Sequence, residues 1–342
     1  MEAGSVGARI HRLDLLIELR ARSARSRTKR LRLRAGSTVI GARTPRNQRQ
    51  ANRNTVEPPN AHLVAKRLLI LLALKQHAQR LMMLWDFGFR IRDSFQTHFG
   101  LTPVWRSLGW RGVRQKLKAR WTFQKERRGL RWALRACQLS STLAASERKF
   151  LGFGLSQSTR DAANVVFWEI ESIACLAWAL RLLPDLPPPD QQAQLDLDED
   201  ALWSAPGDFI SQASLRDRLQ LNSARENVQR WHWRARQHLL EHSGRLTWPS
   251  SNSTPESLAD LERLGIVSLD SFNRFIVRTL RDKGLLAETI DDDFPARGKA
   301  YRELTQEEAN ELEQIAHYRH KALNWLCGLA PENNWDATPV ET

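Results

Sequence analysis

The sequence predicts a mainly α protein, in which a single multi-helix globular domain follows a disordered, basic N-terminal extension. From residue 61 onward apolar residues recur at helical spacing, and no segment shows the alternation typical of strands. The chain has 342 residues, of which 42% are hydrophobic and 26% are charged. This length suits one large domain or two ordinary ones, and this composition excludes a wholly disordered or fibrous chain.

The formal net charge of +14 is distributed unevenly along the chain. Residues 1–60 hold 14 Lys and Arg against 4 Asp and Glu, residues 61–150 hold 19 against 4, and residues 151–342 hold 19 against 30. Because an arginine-rich segment with few apolar residues cannot form a core, we expect residues 1–60 to be a disordered extension. A mis-assigned translation start, upstream of the true one, would account for such a segment. Contact with nucleic acid phosphates and organelle targeting are the alternatives. The helical domain is expected to span residues 61–342.

The first part of this domain is expected to be helical with an irregular middle. Residues 61–85 show a helical pattern, whereas residues 86–115 contain the Phe, Gly, Trp and Thr-Pro typical of short helices joined by turns. Residues 116–141 alternate basic and aromatic residues at helical spacing. Their aromatic residues include Trp121, Phe123 and Trp132. The favoured interpretation is an amphipathic helix with tryptophans inward and arginines outward. The alternative is an aromatic and arginine face of the kind that binds single-stranded nucleic acid.

The second part of the domain is expected to contain the central helix. Apolar residues cover nearly the whole circumference of residues 160–183, which predicts a buried helix that a proline ends. The acidic, proline-rich stretch 184–209 is predicted to be a solvated loop. Thr305 and Glu308 form a capping-box pattern that opens the last helix, which runs to about Cys327. The remaining helices are expected at residues 216–242, 257–264 and 269–286.

Several classes of protein and of site are excluded by the sequence. Cys137, Cys175 and Cys327 lie far apart, so no disulfide framework is expected and a reducing compartment is favoured. No convincing membrane span or secretory signal is present, so we expect a cytoplasmic protein without a membrane partner. Phosphate-loop, dinucleotide, nucleophile-elbow and H-E-x-x-H motifs are missing, so no cofactor is predicted. His238 and His242 lie at i, i+4 without a third ligand at diagnostic spacing, so no metal is predicted.

Polar residues at positions that helices normally fill with apolar side chains mark a candidate site. Arg319 lies in the inward stripe of the last helix, and Glu171 interrupts the apolar surface of the central helix. Since a buried charge is costly unless it is paired, we expect Glu171 to contact Arg230 or Arg319. The candidate polar cluster comprises Glu171, Arg230, His232, Trp233, Arg319, His320, Asn324 and Trp325.

Four segments of the chain resemble one bacterial family. They read W-E-I-E-S-I-A-C-L-A-W-A-L at residues 168–180, R-W-H-W at 230–233, D-F-P-A-R-G-K-A-Y-R-E-L at 293–304 and R-H-K-A-L-N-W-L at 319–326. The chain is similar to the domain of unknown function 4272 over roughly residues 61–342, most clearly from Glu147 onward. Glu169 stands where the family usually has the arginine of a W-R-x-E motif. The family has no established activity, so the resemblance implies a domain definition and no catalytic residue.

Three functions are consistent with these residues. The first is a non-enzymatic protein-interaction or scaffold module, in which the polar cluster fixes helix packing. The second is a hydrolase or nuclease acting on a phosphorylated substrate, with Glu171 and either His232 or His320 as general base and acid and two arginines holding the anion. The third is nucleic acid binding through the basic first half. Because no nucleophile, metal or cofactor motif is found, the first is favoured, and its protein partner is unidentified.

Overall fold

The computed structural model describes residues 57–96, 109–152, 157–246, 248 and 255–340. Within these residues the fold is mainly α, as predicted, with ten α-helices and one pair of two-residue strands. Residues 1–56 of the predicted extension lie outside the described part of the chain, so its disorder stays a prediction.

Four helices make up the first half: α1 (Ala61–Gln96), α2 (Gly109–Ala136), α3 (Ala145–Gly152) and α4 (Gln157–Ala179). α1 begins where predicted, and Asn60 caps it by accepting a hydrogen bond from the Leu63 amide at 2.9 Å. The prediction of short helices and turns over residues 86–115 is wrong at both ends, because α1 continues to Gln96 and α2 begins at Gly109. A single glycine such as Gly88 costs a helix only about 1 kcal/mol, which a 36-residue helix tolerates.

Six helices follow in the second half: α5 (Glu199–Ser204), α6 (Pro206–Gln212), α7 (Arg218–His242), α8 (Pro255–Arg263), α9 (Leu269–Asp282) and α10 (Gln306–Leu326). The predicted loop over residues 184–209 is partly wrong, since it contains α5 and the start of α6. Asp198 opens α5 by accepting a hydrogen bond from the Ala201 amide at 2.9 Å, and Pro206 occupies the first turn of α6. A capping aspartate and a proline in the first turn thus favour short helices in a segment whose composition alone indicates a loop.

The predicted capping box of the last helix is confirmed. Glu308 accepts a hydrogen bond from the Thr305 amide at 2.8 Å, and the Thr305 hydroxyl accepts one from the Glu308 amide at 3.3 Å. The Lys299 amine, which donates to Glu308 Oε2 at 2.8 Å, lowers the pKa of Glu308 to about 2 together with the amide and hydroxyl of Thr305. Thr305 and Glu308 fix the residue at which α10 begins, and therefore which of its side chains point toward the core.

The core is built around α4, which packs against α1 on one side and α10 on another, while α10 also packs along α7. Residues 68–74 of α1 are all buried, as are residues 171–179 of α4. The prediction that α4 is the central helix is therefore confirmed. A second apolar cluster lies between α7, α10 and the chain from Leu286 to Leu304, where Trp231 packs edge-on against Phe294 at 5.2 Å between ring centroids.

The turn-rich segment before α10 contains the two strands of the described fold, β1 (Pro295–Ala296) and β2 (Lys299–Ala300). The two residues that connect them, Arg297 and Gly298, have φ values of 53° and 78°. Positive φ at both central positions is what a tight hairpin turn requires, and glycine adopts it without strain. This turn directs the chain back toward α10.

One described helical stretch, Ala162–Ala179, is long and apolar enough to cross a membrane by length and composition, and 61% of it is buried inside the fold. Its apolar side chains pack against α1 and α10. Its two acidic residues, Glu169 and Glu171, both form ion pairs with α10. The burial and the ion pairs account for this stretch as a core helix.

Candidate functional site

Glu171 on α4 and Arg319 on α10 form a fully buried ion pair, which is one of the two predicted pairings. Arg319 Nε donates to Glu171 Oε2 at 2.7 Å, and the Ala193 amide donates to Glu171 Oε1 at 2.8 Å. The remaining guanidinium nitrogens donate to the carbonyls of Pro187, Pro188 and Gln191 at 2.7–2.9 Å. Burial raises the pKa of Glu171, and the Arg319 charge opposes this. The pair therefore fastens the proline-rich chain after α4 onto α10.

The other predicted partner of Glu171, Arg230, lies elsewhere. Its guanidinium is 3.7 Å from Glu226 on the preceding turn of α7 and donates to the Leu285 carbonyl at 3.4 Å. Trp233 is half-buried and packs against the second apolar cluster. The sequence analysis selected Arg230 and Trp233 because they share a face of the helix, but His232, which lies between them in the sequence, points in a different direction.

His232 and His320 are brought together across the α7–α10 interface, as the sequence cluster requires. Both side chains are buried, and their Nδ1 atoms lie 3.0 Å apart. Burial, with the charges of His232 and Arg225, lowers the pKa of His320 to about 3. His320 is therefore a neutral imidazole at physiological pH.

Two residues that the sequence analysis did not select, Glu313 and His317, complete this cluster. Glu313 Oε1 lies 3.7 Å from His232 Nε2, and the His317 ring meets the His232 ring edge-on at 5.6 Å between centroids. One ligand atom from each of His232, Glu313 and His317 lies within 4.8 Å of the other two. Glu313, His317 and His320 stand at i, i+4 and i+7 of α10, a spacing that puts them on one helix face and that could have been found in the sequence.

The electrostatics of this cluster favour a neutral imidazole and an ionised carboxylate. Burial lowers the pKa of His317, although the Glu313 charge opposes it. Burial alone would raise the pKa of Glu313, but the interactions with His232 and His317 outweigh it and hold that pKa below its usual value. The cluster thus offers nitrogen lone pairs and a negative oxygen.

Asn324 and Trp325, the last two predicted cluster residues, hold the C-terminal segment. Asn324 Nδ2 donates to the Pro339 carbonyl at 2.7 Å, and Trp325 Nε1 donates to the Asn333 carbonyl at 2.9 Å. The Trp325 ring also packs edge-on against Trp335 at 5.4 Å. Both side chains therefore contact the chain that follows α10.

A second buried ion pair, which the sequence analysis missed, joins α7 to the turn before β1. Arg234 Nε and Nη2 donate to the two Asp293 oxygens at 2.8 and 2.7 Å. Asp293 also accepts from the amides of Phe294 and Arg302. This bidentate arrangement orients the turn that leads into α10.

The helix α2 presents Trp121 and Trp132 to solvent, so the favoured inward interpretation is wrong for these two residues. Trp121 is 66% exposed and Trp132 is 72% exposed. The buried side chains are Phe123 and Leu134, which occupy the opposite side of the helix. Its sequence carries two aromatic or aliphatic stripes, of which the core covers one. Hydrophobicity at helical spacing gives the period but does not say which of the two stripes is covered.

The exposed stripe of α2 also contains cations. We define the basic-aromatic stripe as Trp121, Lys125, Arg128, Trp132 and Arg135, all of which are exposed. They stand at i, i+4, i+7, i+11 and i+14, so they share one side of the helix. The Lys125 amine lies 5.6 Å from the centre of the Trp121 ring. α2 as a whole carries ten Lys and Arg against one Glu.

Residues 113–246 match the family model described as Domain of unknown function (DUF4272). This confirms the resemblance for a segment that covers less than half of the chain and includes most of α2, all of α4 and α7. The motifs at residues 293–304 and 319–326 lie outside the matched segment. Comparisons with curated proteins and with solved structures found no match.

Proposed function

We propose that this chain, which carries a DUF4272 segment, is a non-enzymatic binding module that takes up single-stranded nucleic acid along α2. The observation that carries the proposal is the basic-aromatic stripe, in which two exposed indoles alternate with three exposed cations. Proteins that bind single strands combine aromatic rings, on which bases stack, with positive charges that follow the phosphates.

The geometry of the stripe supports an extended ligand. Trp121 and Trp132 are 11 residues apart, which is close to three helical turns and roughly 16 Å along the helix axis. Lys125 and Arg128 lie between them on the same side of the helix. A strand that runs along α2 can therefore stack a base at each end and place phosphates on the cations between.

The opposite side of α2 is anchored, so the stripe is held in place. Phe123 stacks on His77 of α1 with ring centroids 5.4 Å apart and an interplanar angle of 20°. Glu126, the single acidic residue of α2, lies 3.6 Å from Arg80 of α1. An exposed indole that loses little side-chain freedom on binding is a favourable stacking platform.

The hydrolase or nuclease alternative gains no support from Glu171. Its carboxylate is fully buried and both oxygens accept hydrogen bonds, one from Arg319 and one from the Ala193 amide. A general base needs a lone pair within reach of the substrate proton. Glu171 does not fit that role.

The proposal is tested by fluorescence anisotropy of a labelled single-stranded oligonucleotide titrated with the full-length chain. Trp121→Ala and Trp132→Ala are each expected to weaken binding roughly 5- to 100-fold, the range for loss of one stacked base. Trp132→Phe keeps a ring and should bind nearly as the parent does. Residues 1–60 contain no aromatic residue, so loss of stacking cannot arise from the arginine-rich extension.

Charge and specificity are measured in the same assay over a salt series. Arg128→Gln should lower the slope of log affinity against log salt by about 0.7 for a single strand, whereas Arg263→Gln, on α8, should leave it unchanged. Wild-type affinity in both tryptophan-to-alanine variants would refute the proposal. Equal affinity for poly-glutamate would also refute it and would indicate an acidic protein partner.

A further inference from the structure

We propose that His232, Glu313 and His317 form a binding site for one divalent first-row transition-metal ion between α7 and α10. Their ligand atoms lie within 4.8 Å of one another. The site is separate from the basic-aromatic stripe on α2, and the inference does not depend on the proposed nucleic acid binding.

The donor set defines the class of ion. Two imidazoles and one carboxylate are the ligands of open Zn²⁺ sites and of non-haem Fe²⁺ sites, whereas Mg²⁺ and Ca²⁺ prefer oxygen ligands throughout. With metal–ligand bonds of about 2.0–2.2 Å, the donors of a tetrahedral site are roughly 3.3 Å apart. His232 Nε2 and Glu313 Oε1, at 3.7 Å, are already near that separation. The third donor, from His317, lies within 4.8 Å of the other two and must approach them for tetrahedral coordination.

An unpartnered buried nitrogen points into the site. The His232 side chain is fully buried, and its Nε2 has no hydrogen-bond partner. It faces Glu313 Oε1 at a distance too long for a hydrogen bond. Buried polar atoms are rarely left unsatisfied, and each exception needs an explanation such as an ion.

The contact between His232 and His320 determines whether this nitrogen can act as a metal ligand. Their Nδ1 atoms are 3.0 Å apart, so one must donate a proton and the other must accept it. In the metal-bound state we assign the donor to His232, so that its Nε2 carries the lone pair that a metal requires. A metal-ligating histidine usually donates its other ring N–H in this way, which fixes the ring and its tautomer.

The carboxylate is held in a similar manner and the site is accessible. Gln314 Nε2 donates to Glu313 Oε2 at 2.8 Å, and Oε1 remains directed at His232. The Glu313 side chain is 17% exposed and His317 is half-buried, so an ion can reach the site from solvent. Three protein ligands with a solvent side leave a position for water.

The histidine pair that the sequence suggested, His238 and His242, is not this site. Their rings are 4.2 Å apart, but in the described part of the chain only the trio of His232, Glu313 and His317 forms a metal-ligating group. His242 Nδ1 instead lies 3.2 Å from the His238 carbonyl oxygen. This pair supplies a matched control from the same helix.

The test uses the full-length, tag-free chain, stripped with a chelator. Zn²⁺ is titrated by calorimetry, Fe²⁺ is titrated under anaerobic conditions, and Mg²⁺ serves as the hard-ion comparison. We expect one Zn²⁺ or Fe²⁺ per chain and no Mg²⁺ binding, with the tighter of the two transition metals identifying the preferred ion. Thermal unfolding should shift upward with the bound ion.

The variants Glu313→Gln and His317→Ala are expected to weaken ion binding by at least about 10-fold each, while His242→Ala leaves it unchanged. Both mutated side chains are partly exposed, so circular dichroism and the unfolding temperature without metal should match the parent. Absence of stoichiometric binding, equal affinity for Mg²⁺, or equal loss in His242→Ala would overturn the proposal.

Discussion

The buried histidine that anchors α2 makes the stability of the fold sensitive to acid. His77 on α1 is 4% exposed, stacks on Phe123, and meets Phe150 edge-on at 5.7 Å. Burial, followed by the charges of nearby arginines, lowers its pKa from 6.5 to about 4. Its Nε2 has no hydrogen-bond partner. His77 therefore packs as a neutral aromatic ring.

The sign and size of the effect follow from proton linkage. Between pH 6.5 and pH 4 the unfolded chain protonates residue 77 while the folded chain does not, so the unfolded state binds more protons and stability falls as the pH falls. The contribution is fully present above the unfolded pKa. With these two pKa values, His77 accounts for a loss of about 2 kcal/mol in the free energy of unfolding between pH 7 and pH 5.

The perturbation is His77→Phe, which keeps the ring contacts and removes the titration. Urea unfolding at pH 7 and pH 5 should show that the variant loses about 2 kcal/mol less than wild type over this interval. Contributions from other histidines cancel in this difference as long as the sites are independent. His62→Phe, at an exposed position of the same helix, serves as the control and should lose as much as wild type. An equal loss in His77→Phe and wild type would refute the reasoning.

Two further predictions concern the buried ion pairs. Arg319→Met leaves Glu171 as an uncompensated buried charge, and we expect it to reduce the free energy of unfolding in urea by roughly 3–5 kcal/mol. A loss below about 1 kcal/mol would contradict a stabilising role for the pair of Glu171 and Arg319. Arg234→Lys keeps the charge but loses the two parallel hydrogen bonds to Asp293, so a loss of about 1–3 kcal/mol is expected, whereas Arg263→Lys on the surface should change stability by less than about 0.5 kcal/mol. Equal effects of the two lysine substitutions would argue against the bidentate pair.

How far the sequence could predict this protein depends on whether a feature is local. The capping box at Thr305 and the burial of α4 follow from spacing along one helix; the capping box is confirmed, and the burial is confirmed for residues 171–179, whereas Val165 in the first half of α4 is 55% exposed. The partner of Glu171 required the relative placement of three helices, so two candidates stood open and Arg319 was the correct one. The exposure of Trp121 and Trp132 depends on which of two stripes of α2 faces α1, and only the packed structure decides this.

The polar residues between α4, α7 and α10 differ in whether their hydrogen bonds are complete. This difference distinguishes residues that hold the helices together from residues that can bind a ligand. Around Arg319 the three guanidinium nitrogens all donate and both Glu171 oxygens accept. A fully satisfied buried pair has nothing left to offer a ligand, and its role is to fasten the chain. Nearly two turns away on α10, Glu313 faces a His232 nitrogen that is buried and has no hydrogen-bond partner. The cost of leaving that nitrogen unsatisfied is about 1–3 kcal/mol, which a bound ion would remove. A buried, unpartnered nitrogen that faces both a carboxylate and a second imidazole is therefore found at His232, Glu313 and His317, not at the charged pair that was most conspicuous in the sequence.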